Sequence, residues 1–276
     1  MATTRELTAD AAARLKAAGV DDATHDAELL LATALGVTRP QLIAGAIEPN
    51  PSQLALFEQW IERRAAREPV AYITGAKGFR RIELAVDRRV LIPRPETELL
   101  VAVVKVDRPC GVLDVATGSG AVALALADEL PDATIVASDV SADALEVAAA
   151  NAERLGMTGR VSFIESDLLA AVEGVFDAIA ANLPYIDARE IDTLQPEITE
   201  YEPRSALDGG EDGLELVRRL VGEAIGQLRP NGLLALEIGD TQAAATAEIL
   251  RAAGFIDVEA HADLAGRDRV VSGRAR

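Results

Sequence analysis

Four consecutive residues, Asn182-Leu183-Pro184-Tyr185, combine an amide, a restricted backbone and an aromatic ring. Pro184 fixes its own φ and favours an extended conformation at Leu183. We expect this arrangement to aim the side-chain carbonyl of Asn182 and a backbone carbonyl at one planar NH2 group, with Tyr185 packed on its face. Two acceptors and a stacking surface suit an amide nitrogen or an exocyclic amine. The motif therefore predicts a site that acts on such a nitrogen.

A second motif is a run of small residues between a predicted strand and a predicted helix. Small residues let the backbone approach a ligand closely, and a helix N-terminus offers unpaired N–H groups. The next predicted strand ends at Asp139, where a carboxylate can accept hydrogen bonds from both ribose hydroxyls. The residues of the small turn are Ala116, Thr117, Gly118, Ser119 and Gly120.

Asp167 and Leu168 follow the third predicted strand. An acidic side chain there can accept from an adenine amino group, and an apolar neighbour can pack against the ring. Capping of a helix by Asp167 is the alternative. Together with the small turn and Asp139, this pair predicts an adenosine site. The cofactor stays open at this point, because Gly118-x-Gly120-x-x-Ala123 also satisfies a relaxed dinucleotide fingerprint.

Two kinds of element must position these residues. Up to about residue 75 the chain predicts short helices, including one that starts at Asn50-Pro51 with Asn50 as its cap. Alternation over 78–86, a polar break and then 89–92 predict a hairpin. Beyond residue 110, apolar strands alternate with helices, which favours a mostly parallel sheet covered on both faces. Strands are predicted at 112–117, 134–139, 161–165, 176–181, 233–238, 256–260 and 269–272, and helices at 121–130, 142–155, 213–228 and 241–253.

Composition narrows the class of protein. The formal net charge is -18, from 45 acidic and 27 basic residues, which disfavours a large nucleic-acid footprint. The sequence has no apolar run long enough for a membrane span, and Cys110 is its single cysteine, so we expect a cytoplasmic protein. No cluster has zinc-ligand spacing, and we expect no metal. His25 and His261 lie far from every motif, so a histidine base is not expected.

Nearly the whole chain resembles the release-factor glutamine methyltransferase family, also called PrmC or HemK. The resemblance implies a class I S-adenosylmethionine-dependent methyltransferase fold, which is Rossmann-like with a seven-stranded, mostly parallel sheet. It divides the chain into a helical substrate-recognition domain (1–75), a linking β-hairpin (76–93) and a catalytic domain (94–276). The segments that carry it, besides the Asn182 motif, are REPVAYITG (67–75), LIPRPETE (91–98), ALDGGEDGL (206–214) and DLAGRDR (263–269).

The resemblance implies methyl transfer from S-adenosylmethionine to N5 of the glutamine in the Gly-Gly-Gln motif of peptide-chain release factors, which supports translation termination. S-adenosylhomocysteine is the implied product. The implied catalytic residues are Asn182, Leu183, Pro184 and Tyr185. The implied cofactor-binding residues are Ala116, Thr117, Gly118, Ser119, Gly120, Asp139, Asp167, Leu168 and Asn182.

Two positions depart from the family pattern. Leu183 stands where the family usually has a first proline, and Ala116 stands where it usually has glycine. Three alternatives remain open from sequence. One is a nucleic-acid adenine-N6 methyltransferase, since an exocyclic amine satisfies the same acceptors. The others are a nicotinamide-dependent dehydrogenase and a non-catalytic binding protein on a methyltransferase scaffold.

Overall fold

A computed structural model describes residues 3–45 and 47–276. The helices are α1 (Thr4–Ala17), α2 (Ala23–Leu35), α3 (Arg39–Ala44), α4 (Pro51–Ala65), α5 (Val70–Thr74), α6 (Glu98–Val104), α7 (Ala121–Glu129), α8 (Ala142–Arg154), α9 (Pro196–Thr199), α10 (Glu215–Ala224) and α11 (Ala243–Ala252). The strands are β1 (Ala76–Phe79), β2 (Ile82–Ala85), β3 (Gly111–Val115), β4 (Thr134–Asp139), β5 (Val161–Glu165), β6 (Phe176–Ala181), β7 (Leu228–Glu237), β8 (Ile256–Ala262) and β9 (Asp268–Arg274).

The first compact unit contains the N-terminal helices. Helices α1, α2 and α4 bury an apolar core that includes Leu30, Phe57 and Ile61. Asn50 caps α4 as the sequence predicts, because its side chain accepts from the backbone N–H of Gln53 at 2.9 Å. Gln53 in turn accepts from the backbone N–H of Asn50, which completes a capping box.

A segment from much later in the chain also belongs to this first unit. Gln195–Tyr201, which includes α9, clusters with the N-terminal helices rather than with the sheet. Glu197 accepts from Arg67 at 2.7 and 2.6 Å and pairs with buried Arg64 at 2.8 Å. The segment lies inside the predicted catalytic domain (94–276). Its Glu197 carboxylate pairs with Arg67 and, together with Asp26, with Arg64.

The hairpin turns earlier than its sequence predicts. Strands β1 and β2 form a two-stranded sheet, and residues 86–92 are not a strand. The chain reverses at Arg80, which has a positive φ of 50° and whose backbone N–H donates to Glu98 at 3.0 Å. The expected strand over 89–92 is therefore wrong, and the predicted strand over 78–86 contains the end of β1, the turn and all of β2.

The second unit is built on a seven-stranded sheet of order β5-β4-β3-β6-β7-β9-β8. Neighbours from β5 to β7 are parallel, whereas β9 runs antiparallel to both β7 and β8. The predicted α/β class with a seven-stranded, mostly parallel sheet is confirmed. Strand β7 starts at Leu228 rather than 233, because Leu228 already pairs with Phe176 before a register shift. The order of the strands reverses between β3 and β6, and such a switch point opens a crevice at the carboxyl ends of the strands.

Candidate active site

The turn after β3 is held together by a buried carboxylate. Asp114 accepts from the Thr117 hydroxyl at 2.6 Å and from the backbone N–H of Ala123 at 3.1 Å. Burial raises the pKa of Asp114 to about 7, although both hydrogen bonds oppose that shift. The Asp114 side chain thus holds in place both the small-residue segment after β3 and the first turn of α7.

The backbone of the small turn takes conformations that favour glycine. Ala116 has φ 58°, Gly118 has φ 55° and Gly120 has φ 83°. A Cβ on Gly120 would lie 3.0 Å from Leu124 and 3.3 Å from Ala148, so this glycine lets α7 begin against packed neighbours. Ala116 adopts the left-handed conformation without being glycine, which is strained by about 1 kcal/mol.

Asp139 lies at the end of β4 and faces the crevice. Its Oδ2 accepts from the backbone N–H of Gly118 at 2.9 Å, and its Oδ1 accepts from that of Ser141 at 2.9 Å. Burial raises the pKa of Asp139, and the backbone hydrogen bonds act in the opposite direction. Each carboxylate oxygen keeps lone-pair capacity for a further donor.

The loop after β5 presents one polar and one apolar residue, Asp167 and Leu168. Asp167 is exposed and pairs with Arg219 at 2.8 Å, whereas Leu168 is buried and has a positive φ of 49°. Residues 168–171 form a turn instead of a helix, so Asp167 does not cap one. Ser166 supplies the local side-chain bond, since its hydroxyl accepts from the backbone N–H of Ala171 at 3.0 Å.

Asn182 follows β6 directly. Its Nδ2 donates to the hydroxyl of Thr97 at 3.2 Å, and Thr97 ends a 3₁₀ turn (Pro95–Thr97) that leads into α6. Within residues 3–45 and 47–276, nothing donates a hydrogen bond to Asn182 Oδ1 or to the backbone carbonyl of Leu183. The loop therefore leaves two acceptors uncommitted.

The loop after Asn182 is fixed from outside by a glycine-rich segment. A Cβ on Gly209 would lie 2.7 Å from the carbonyl of Pro184, and one on Gly213 would collide with the carbonyl of Tyr185. That carbonyl also accepts from the side chain of Gln242 at 3.0 Å. The close approach requires glycine at both positions.

Tyr185 is largely buried beside the loop. Burial raises the pKa of its phenol to about 12, with a further contribution from the nearby Glu237 carboxyl. The phenol therefore stays neutral at physiological pH.

The structure brings most of the predicted site residues together around one cavity. Its wall also contains Thr97, Asp114, Arg89 and Arg94. Gly120 and Tyr185 are not in this wall: Gly120 faces α7 and α8, and Tyr185 lies behind the loop. The predicted residues that line the cavity are Ala116, Thr117, Gly118, Ser119, Asp139, Asp167, Leu168, Asn182, Leu183 and Pro184.

Sequence reasoning missed several residues of the site. Thr97 stands in the segment LIPRPETE (91–98) and Asp114 in the predicted strand 112–117, but their spacing carries no sign of the hydrogen bonds that they make. Glu237 is the last residue of β7 and is 2% exposed, and burial raises the pKa of its carboxyl to about 7. An acidic residue inside the apolar run of the predicted strand 233–238 is the sequence signal that could have identified it.

Among residues 3–45 and 47–276, no group of three or more His, Cys, Asp or Glu side chains has the arrangement of a metal site. Over the same residues, every helix is too short or too polar to cross a bilayer.

Comparisons with known proteins identify the family. Residues 6–75 match the PrmC N-terminal domain, and residues 95–201 match the methyltransferase small domain. The release factor glutamine methyltransferase of Caulobacter vibrioides is 43% identical over 266 residues, which cover 94% of this chain and 92% of that protein. The enzyme of the same name from Moorella thermoacetica is 44% identical, over 97% of this chain and 96% of that protein.

A solved structure shares the fold. The S-adenosylmethionine-dependent methyltransferase SibL in its apo form superposes with a TM-score of 0.50, at 18% identity, over 96% of each chain. Given the fold, the geometry of the crevice and the close relatives along almost its full length, this chain belongs to the release factor glutamine methyltransferase family.

Proposed function

We propose that this protein transfers a methyl group from S-adenosylmethionine to the side-chain nitrogen N5 of the glutamine in the Gly-Gly-Gln motif of peptide-chain release factors. One observation carries the proposal. Asn182 and Leu183, whose carbonyls are uncommitted, line the same cavity as Asp139. Acceptors for a planar amide thus share one site with an acceptor for a ribose.

The residues of the cavity fit S-adenosylmethionine. Asp139 lines the cavity, and its carboxylate oxygens would accept from the ribose hydroxyls beside the backbone N–H groups of Gly118 and Ser141. Asp167 accepts from the adenine amino group, and buried Leu168 packs against the ring. The backbone at Gly118 and Ser119 lets the amino-acid part of the cofactor approach closely.

The cofactor supplies an electrophilic methyl group on a positively charged sulfur. The residues of this chain orient the nucleophile. Asn182 Oδ1 and the Leu183 carbonyl accept the two N–H groups of the glutamine amide, which turns its lone-pair direction toward the methyl carbon. Positioning of this kind contributes up to about 7–11 kcal/mol.

Methyl transfer to the amide nitrogen needs no strong base from the protein. When bound, S-adenosylmethionine would supply the methyl carbon to the nitrogen, and its sulfur would keep the electron pair of the carbon–sulfur bond. The two acceptors stabilise the positive character that develops on nitrogen. The N-methylated, still protonated amide is very acidic, so it gives one proton to water after transfer.

The direct test uses purified protein, methyl-labelled S-adenosylmethionine and an unmodified release factor. We expect label on the peptide that contains Gly-Gly-Gln and no label when its glutamine is replaced. Asn182→Ala should keep cofactor affinity in calorimetry and lose about 10²-fold or more in turnover. Exposed Glu259→Gln on β8 is the matched control. Unchanged turnover in Asn182→Ala would remove that residue from the mechanism, and label on RNA instead would favour an exocyclic-amine substrate.

We also propose the partners and the location of this protein. Release factors would be its protein partners, and its location would be the cytoplasm because these substrates act in translation. The net charge of -18 argues against direct binding of nucleic acid through its phosphates.

A further inference from the structure

A buried polar chain lies behind the candidate amide acceptor. Asn182 Nδ2 donates to Thr97 Oγ1 at 3.2 Å, and the Thr97 hydroxyl lies beside the Glu237 carboxyl, whose pKa it lowers. Thr97 is 4% exposed and Glu237 is 2% exposed. Within the described residues the buried Glu237 Oε2 has no hydrogen-bond partner. Loops after β6, before α6 and at the end of β7 therefore meet in one buried polar line.

Donor and acceptor counting fixes the direction of this line. An ionised carboxylate only accepts, so Thr97 must use its single hydroxyl proton to donate to Glu237. The hydroxyl oxygen can then only accept from Asn182, and only the Nδ2 end of that amide can donate. Asn182 Oδ1 is thereby turned away from Thr97 and remains an acceptor.

We propose that Glu237 is a positioning residue, which acts through Thr97 to hold Asn182 with its carbonyl toward the methyl-accepting nitrogen. The inference rests on the proposed role of Asn182 as the acceptor for that nitrogen. Glu237 itself touches neither the substrate nor the cofactor in this scheme. It selects one of two orientations of an amide whose two ends have nearly the same shape.

Protonation of Glu237 removes its preference for one orientation of the Asn182 amide. A neutral carboxyl donates to the Thr97 oxygen, which frees the Thr97 proton to donate to Asn182 Oδ1. The amide then turns over, and its NH2 end faces the N–H groups of the substrate, where donor meets donor. The hydrogen bond from the glutamine amide to Asn182 is lost, and only the one to the Leu183 carbonyl remains.

The charged surroundings of Glu237 place this change near neutrality. Burial raises the pKa of its carboxyl to about 7, the Thr97 hydrogen bond lowers it, and Arg269 on β9 lowers it further. Glu96 in the 3₁₀ turn raises the pKa and Arg94 lowers it. The phenol of Tyr185 also faces Glu237 and remains neutral. Turnover should therefore rise with pH through about 7.

Three variants test the chain by kinetics between pH 5.5 and 9. Glu237→Met removes the acceptor at similar size, and we expect kcat to fall about 10²-fold while the dissociation constant of S-adenosylmethionine stays within about two-fold. Thr97→Val should give a similar loss, and the double variant should lose no more than either single one. Glu237→Gln keeps an acceptor but cannot ionise, so it should retain more activity and lose the rise near pH 7.

A second readout needs no turnover. In ¹⁵N-labelled protein, the side-chain NH2 signals of Asn182 are identified by their absence in Asn182→Ala. We expect them to shift with pH through about 7 in the wild type and in the Glu259→Gln control, but not in Glu237→Gln.

The outcomes separate the two proposals. Wild-type kcat and a wild-type pH profile in folded Glu237→Met would overturn the positioning role. If Glu237→Met does not fold, a rise near pH 7 that persists in Glu237→Gln, or NH2 signals that still shift in it, would do the same. A wild-type protein that fails to label glutamine contradicts the proposed function instead, and the NMR titration then decides on Glu237 alone.

Discussion

Replacement of Glu237 by glutamine should make the stability of this protein less dependent on pH. Burial raises the pKa of this carboxyl from its ordinary value of 4.5 to about 7. The folded state therefore binds more protons than the unfolded state between these values. The contribution of Glu237 to the free energy of unfolding is fully present below about pH 4.5 and is lost as the pH rises through about 7.

The size of the loss follows from the two pKa values. Each pH unit between them changes the free energy of unfolding by about 1.4 kcal/mol. The wild type thus loses about 3 kcal/mol as Glu237 ionises in place, and glutamine avoids this loss. Asp114, the other buried carboxyl with a pKa of about 7, titrates in both proteins and cancels in the comparison.

The assay is urea unfolding of both proteins at pH 5, 6, 7 and 8, followed by circular dichroism. We expect the stability of Glu237→Gln minus that of the wild type to increase by about 2 to 3 kcal/mol from pH 5 to pH 8. Glu259→Gln, an exposed change on β8, should show a difference that does not vary with pH. A constant difference for Glu237→Gln as well would refute the argument that burial of this carboxyl controls its protonation.

Three further changes test other parts of the fold. Ala116→Gly removes the backbone strain of about 1 kcal/mol at φ 58°, but the greater conformational entropy of glycine stabilises the unfolded chain by about 0.5 kcal/mol. The melting temperature should therefore stay equal or rise slightly. A fall of several degrees would contradict the strain at this position. Gly213→Ala places a Cβ against the carbonyl of Tyr185, and we expect a loss of about 2 kcal/mol or more together with reduced turnover. The control Gly222→Ala, inside α10 with open space around it, should stabilise by about 1 kcal/mol, and equal effects of both alanines would disprove the packing argument. Glu197→Gln leaves Arg67 without its carboxylate and Arg64 with Asp26 alone, and it should lower the free energy of unfolding by about 2 kcal/mol in urea titrations; wild-type stability would show that the ion pairs of Glu197 contribute nothing.

The sheet and most of its crevice were predictable because they depend on local patterns. Strands β4, β5 and β6 have the predicted bounds, since short apolar runs ended by polar residues leave little choice of register. Asp139 and Asn182 were both predicted as site residues, and both line one crevice because strand ends in a parallel sheet meet at one edge.

What the sequence did not predict depends on contacts between distant segments. The hairpin reverses at Arg80, and Glu98, eighteen positions later, accepts a hydrogen bond from the backbone N–H of that residue. Thr97 and Glu237 meet only because α6 and β7 pack together in the folded chain. No period or motif encodes such a pair before the fold is known.

The chain path through the two compact units has a consequence for synthesis on the ribosome. The N-terminal helices are translated first, but the carboxylate that pairs with Arg64 and Arg67 is supplied by Glu197 in the segment Gln195–Tyr201. N-terminal segments generally fold first as they emerge. Here the helical unit must wait with incomplete ion pairs until most of the sheet has also been made. A ribosome-bound chain that ends before this segment should therefore hold a helical unit that is open to proteases, and a chain long enough to expose residue 201 should protect it.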